Sequence, residues 1–290
     1  MYHKTSDPKA PAANVRVPDR SPDRFESQPA GQLGPHRQMN SRLYKYELLN
    51  IALNGYTFFF GVLFPLFFSI IIIKSVLKDV PPGTAADLST SIFLGIAMII
   101  PMATMFIGYA ASFANEIEKQ IPDRLSLYGF SQKTLLLAKL TANLTFLTAA
   151  LLIYIGVDAL VLDILRPTAA ALVVFLLVFY SFAVILLVLA HGLGTLFRKF
   201  GPTYAITMIL YFAIMMLSGM MGVSYDALPG WIHPISNLLP PKHIGQEFVA
   251  FWKGEPYNFA PLVQSLVFFA ALAGVILLFS FYRQRRRQTA

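Results

Sequence analysis

A chain of 290 residues that is 56% hydrophobic and only 13% charged, with a mean hydropathy of +0.59, is too apolar for a soluble domain and belongs to the membrane class. The net charge of +8 reads as membrane topology and contact with anionic lipid, not as nucleic-acid binding. The absence of cysteine excludes disulfides and thiolate metal sites.

In chain order, the first 39 residues are proline-rich, hold few large apolar side chains and lack a hydrophobic signal core. They read as a disordered cytoplasmic tail and not as a signal peptide. Residues 40–54 change character. Tyr44, Leu48 and Ile51 recur at helical spacing while Arg42, Lys45 and Glu47 fall elsewhere on the wheel, which predicts either an interfacial amphipathic helix or a plain extension of the first span. The chain turns inward at Gly55, and residues 55–285 are expected to form one six-helix membrane domain.

Uncharged runs at Leu48–Ile73, Leu88–Asn115, Leu140–Val157, Pro167–Phe197, Phe200–Tyr225 and Pro256–Tyr282 each supply the roughly 20 apolar residues that cross about 30 Å of hydrocarbon. They must be helical, because backbone groups in lipid are satisfied within the segment and no period-2 alternation is present. The fold expected is therefore an all-α polytopic membrane protein. Eighteen of the 23 basic residues fall in alternate compartments, leaving Lys74, Lys78, Arg166, Lys242 and Lys253 in the other set. By the positive-inside bias both termini are cytoplasmic.

Pro65 and Pro101 sit near mid-span in the first two spans, where each removes a helix hydrogen bond. Paired kinks suit a moving pathway or two fixed bends. Met98, Met102 and Met105 share a helical face in the second span, and Met215 lies among the methionines of the fifth. Thioethers repack easily and could line a path for hydrophobic cargo; ordinary packing is the alternative, and a Cu(I) site has no Cys or nearby His to support it.

Between the second and third spans, Asn115–Lys139 reads NEIEKQIPDRLSLYGFSQKTLLLAK, a charged amphipathic insert that offers water a structured face. Pro122 is expected to end the second span, Asp123–Tyr128 to form a short helix, Gly129 to permit a turn and Ser131 to cap the helix entering the third span. Asp158 and Asp163 fall near the far end of the third span, within reach of water, and His191 stands alone on the fourth. No catalytic motif accompanies them, and no enzyme site is expected.

The segment between the fifth and sixth spans holds both tryptophans, Trp231 and Trp252, with Pro229, Pro234, Pro240 and Pro241. Ile244, Phe248 and Phe251 form an apolar stripe opposite Gln246 and Glu247. Short broken helices lying on the outer leaflet are expected, as a lid over an exit path or as an interfacial anchor.

The Glu116-x-Glu118 pair leading through LSLYGFSQKTLLLAK, the LSG at the end of the fifth span and the following LPGWIHPISNLLP together resemble the membrane subunits of ABC exporters, the ABC transmembrane type-2 permeases, over about residues 40–285. The long proline-rich tail and the IPDRLSLYGFS stretch depart from the usual pattern. The resemblance implies a transport subunit without its own ATPase site, and no phosphate-cradling G-x-x-x-x-G-K-[ST] motif occurs in the chain. It implies two copies of a separate ATPase carrying ATP and Mg, a second permease subunit, identical or related, and a bacterial plasma membrane. Export of a drug, peptide or lipid conjugate would then be driven through Glu116, Glu118, Asp123, Arg124, Leu127, Tyr128, Gly129 and Ser131, past Pro65 and Pro101, towards a lid containing Pro229, Trp231, Pro240, Phe248 and Trp252. An ion-driven secondary transporter or a lipid-modifying membrane enzyme would require buried charges or clustered catalytic groups.

Overall fold

The computed structural model describes residues 41–221, 225 and 228–289, so the tail expected over residues 1–39 lies outside it. Among the described residues every regular element is helical. Six helices are long and apolar enough to cross a membrane: Gly55–Val76, Gly83–Glu118, Lys133–Val161, Ala169–Phe197, Phe200–Leu217 and Ala260–Arg286.

A separate helix, Ser41–Ala52, precedes the first span. Asn54 divides the two: its side-chain oxygen accepts the Tyr56 and Thr57 N–H groups at 3.1 and 3.4 Å, satisfying donors that a new helix start leaves open. The first span therefore begins at Gly55, where the chain was expected to turn inward, and not at Leu48, where the uncharged run starts. The buried residues of Ser41–Ala52 are Leu43, Glu47 and Ile51. Glu47, expected on the polar side, is turned inward against the third span.

Both mid-span prolines lie next to widened helix. Phe59–Leu63 is π-helical and ends two residues before Pro65, with the Phe64 N–H bonded to the Phe59 carbonyl. Met102–Gly108 is π-helical immediately after Pro101. A proline lacks the N–H that a regular turn needs, and a wide turn re-pairs the neighbouring groups. The widened stretches pack on one another, Gly61 facing the Thr104 side chain and Gly108 facing Thr57.

The second span is the central helix. Of its most apolar window, 83% is buried by protein, against 22% for the sixth. Met98, Met102, Met105 and Met215 are all fully buried among Phe106, Phe182 and Leu186 in one continuous core. The outer spans leave apolar faces bare, as lipid requires of a helix surface. Asp158, expected within reach of water, is instead fully buried, its Oδ2 accepting the Ser69 hydroxyl at 2.7 Å. The carboxylate lies one turn inside the end of the third span, where the first span covers it.

The connection between the fifth and sixth spans corrects the expectation of a surface layer. It forms His233–Ser236, Pro240–Gln246 and Val249–Lys253, and the middle helix inserts against the second span. Gly95 and Gly245 meet there so closely that a Cβ on Gly245 would lie 3.0 Å from the Gly95 Cα. The Ser91 hydroxyl donates to the Gly245 carbonyl. Close approach of this kind needs the smallest residue on both sides. The helix breaks at Glu247 and Phe248, so Ile244, Phe248 and Phe251 do not share one continuous helix.

Candidate functional site: the insert and its socket

The second span closes at Lys119, and Gln120 takes a left-handed backbone at φ 55°, which reverses the chain. Pro122 does not end the second span, as expected, but lies in the first turn of Ile121–Leu127. There its missing N–H is one that no helix partner would have taken. Asp123 in the same first turn complements the positive end of the helix.

The exit from this short helix is a Schellman turn. Gly129, at φ 86°, donates its N–H to the Ser126 carbonyl at 3.0 Å, and Phe130 donates to the Leu125 carbonyl at 3.2 Å. The accompanying apolar contact is present: Leu125 and Phe130 pack together on Leu43, Leu135 and Ala138. Ser131 then caps the third span, its Oγ accepting the Thr134 N–H at 3.1 Å. The insert is thus clasped between the Ser41–Ala52 helix and the first turns of the third span.

What remains outside is the tip. Leu127 is 85% exposed and Tyr128 is 71% exposed, side by side, with Asp123 and Arg124 also open.

Of the two glutamates expected to face water, one is sealed inside and the other is open. Glu116 is buried, and its Oε1 accepts from the Lys139 ammonium at 2.6 Å; the same ammonium reaches Glu47 Oε2 at 2.9 Å. Burial pushes the Glu47 carboxyl above the usual range, against the opposing pull of Lys139. Glu118 remains exposed, but its Oε2 accepts the Phe200 N–H at 2.7 Å, tying the end of the second span to the start of the fifth. Through these two residues the end of the second span is bonded to the third and fifth spans, and Lys139 extends the link to the Ser41–Ala52 helix.

Behind the insert lies a cavity of about 300 Å³, walled by the insert helix and by the second, third, fourth and sixth spans. His191 sits in it, one ring nitrogen 2.9 Å from the Tyr109 hydroxyl and the ring stacked on Phe113 with centroids 4.3 Å apart. Neither this cavity nor a smaller one beside Asn54 has a methionine in its wall.

At the opposite end Pro229 and Trp231 are exposed, Trp231 by 74%, whereas Pro240, Phe248 and Trp252 are buried. Trp252 does not lie at an interface: its ring meets Phe175 edge-on and its indole N–H donates to the Leu165 carbonyl at 2.7 Å. Glu247 pairs with Lys242 and, at 2.9 Å, with His243 Nδ1. The bond from His243, aided by Lys242, holds the Glu247 carboxyl down at about 2 despite partial burial.

Sequence reasoning missed Glu47, Lys139 and the Gly95–Gly245 contact. The only local sign of the first was an acid spaced i, i+4 between Leu43 and Ile51 on an otherwise apolar stripe.

The profile of the ABC-2 family transporter proteins matches residues 73–282. No curated protein matches the chain. The matched region takes in the insert, the five spans from the second to the sixth and the far-end helices, well over half of the chain, and the protein therefore belongs to the ABC-2 transporter family as a multi-pass membrane transport subunit.

Proposed function

We propose that this chain is the permease subunit of an ATP-binding cassette exporter in a bacterial plasma membrane, carrying a hydrophobic or amphipathic molecule such as a drug, peptide or lipid conjugate. Both termini and the insert face the cytoplasm. Two copies of a separate ATPase, holding ATP and Mg, supply the energy, and a second permease subunit, identical or related, completes the complex.

The observation that carries this reading is the exposed Leu127–Tyr128 tip on an otherwise clasped insert. Adjacent bare apolar and aromatic side chains outside the lipid-facing surface fit the buried centre of a protein interface, with Asp123 and Arg124 as its polar rim. Force applied at the tip has a short route inward. It passes through the Schellman turn to the third span, and through Glu116–Lys139 to the second span, where the wide turn at Met102–Gly108 and Pro101 is less regular than the helix around it. Pro65 and its own wide turn lie against that stretch. The buried methionines serve this role as repackable core, and the far-end helices with Pro240, Phe248 and Trp252 act as the lid.

The test is Leu127→Asp with Tyr128→Asp. The doubly substituted protein is expected to insert and to unfold at the normal temperature, yet to lose copurification with the ATPase and transport of a panel of toxic amphiphiles. Transport at the normal rate would reject the docking role.

The fully buried Asp158 favours a second reading, transport driven by an ion gradient, because an intramembrane carboxylate is the usual carrier of such coupling. Transport by Asp158→Asn that persists when an ionophore collapses the gradient rejects that alternative.

A further inference from the structure

The cavity behind the insert is not used by the docking reading, and its lining combines two kinds of chemistry. It includes a cluster of rings, His191 stacked on Phe113 with Phe281 edge-on to His191 at 6.4 Å. It also includes Lys133, Lys139, Arg198, Glu116 and Asp123. Lys139 is committed to Glu116 and Glu47. Among the described residues neither Lys133 nor Arg198 has an ion-pair partner, so two unpaired cations line the cavity together with the carboxylate of Asp123.

The backbone at the cavity is also unusual. The non-glycine residues with a left-handed backbone among those described are Gln120 and Arg198. Arg198 lines the cavity, and Gln120 lies between its wall residues Ile117 and Pro122. Such a conformation is unfavourable for a residue with a Cβ, and glycine is the common choice where a helix ends this way. The fourth span ends instead on an arginine, whose left-handed backbone carries a conformational cost and whose side chain lines the cavity.

We infer that this cavity binds the head of an anionic amphiphile, with a phosphate-type group held by Lys133 and Arg198 and the first carbons of its apolar part lying on the ring layer of Phe113, His191 and Phe281. Its volume of about 300 Å³ is at the small end of small-molecule pockets, which run from about 300 to 1,000 Å³. It therefore accepts a head group and the start of a chain, not a whole lipid. An arginine and a lysine in the lining favour a phosphate head with net negative charge over a neutral one or one whose phosphate is offset by its own cation. The occupant would touch Pro122 and Leu125 of the insert, so binding would brace the insert from behind. This inference does not depend on the exporter reading, because it is tested by binding alone.

The test uses the full chain in neutral detergent, with affinities for short-chain phosphatidylglycerol, short-chain phosphatidylcholine and free glycerol phosphate measured by native mass spectrometry. Phosphatidylglycerol is expected to bind at least about tenfold more tightly than the other two, and Arg198→Gln with Lys133→Gln is expected to lower its affinity by about tenfold, as loss of a charged hydrogen bond predicts. Thr195→Phe, which fills the cavity without changing charge, should lower it as well. Thermal unfolding without lipid identifies any variant that has lost its fold, and the other variant then decides. Equal binding of the two lipids, or phosphatidylglycerol binding unchanged in the folded variants, overturns the site. Glycerol phosphate binding as tightly as the lipid overturns the amphiphile and leaves a site for a soluble anion.

Discussion

Lys139, in the second turn of the third span, and Glu116, near the end of the second, are joined at 2.6 Å across the whole insert, so the loop between them is closed at its base by a buried ion pair. Glu47 shares the same ammonium at 2.9 Å, bringing the Ser41–Ala52 helix into the closure. Removal of Lys139 leaves two carboxylates in a site with little water. Lys139→Met is expected to destabilise the protein by about 3–5 kcal/mol, the usual consequence of leaving a buried charge unpaired. Denaturant unfolding in detergent measures it.

Glu47 should respond differently. Its carboxyl is raised by burial, so the folded state favours the protonated form and loses stability as pH rises above the ordinary carboxylate range. In Glu47→Gln that loss is absent. Relative to the unsubstituted protein, the variant should gain stability as pH rises above the ordinary carboxylate range, while Lys139 and Glu116 remain a one-to-one pair. Thermal unfolding midpoints across that rise check the sign.

Glu247 has the opposite behaviour. Its carboxyl is held at about 2, so its contribution is present above about 4.5, the ordinary glutamate value, and is lost as pH falls towards 2. Limited proteolysis of the far-end helices should accelerate over that interval. Glu247→Gln should be more susceptible at pH 7 and show little further change on acidification.

The Gly95–Gly245 contact offers a steric prediction. A methyl group on Gly245 meets the Gly95 backbone at 3.0 Å, and backbone cannot swing aside as a long side chain can. Gly245→Ala is expected to cost about 1–3 kcal/mol, the range for an overfilled contact. Gly230→Ala, where no atom lies within 4 Å, is the control and should change little.

At the insert, Gly129→Ala keeps the apolar tip but places a Cβ at φ 86°. It should cost about 1–2 kcal/mol of local conformational energy and lower ATPase copurification less than Leu127→Asp does. An equal loss from both would show that tip geometry matters as much as tip chemistry.

Much of the fold was legible because it is written locally. Uncharged runs of spanning length identify the six membrane helices, since a backbone in lipid must satisfy itself within a segment. The cap at Ser131 and the turn at Gly129 could be read for the same reason: each acts on groups within about five residues. The start of the first span was legible too: the inward turn expected at Gly55 is where Asn54 captures the Tyr56 and Thr57 N–H groups and starts the helix. The end of the second was not, because Pro122 sits in the first turn of the next helix instead of ending the span.

The side chains of the candidate site depended on distant partners. Glu116 and Glu118 look alike in the chain, yet one is buried on Lys139 and the other is exposed and bonded to the Phe200 backbone. Glu47 and Lys139 are 92 positions apart, and Ser91 and Gly245 are 154 apart. No periodicity reports such a meeting, because it follows from which helix faces pack together. Residue order alone settled that this chain is a helical membrane protein with a charged insert, since hydrocarbon length and backbone satisfaction act on each segment separately. Packing between segments settled which charges of the insert are sealed inside and that its large apolar side chains Leu127 and Tyr128 stay exposed at the tip.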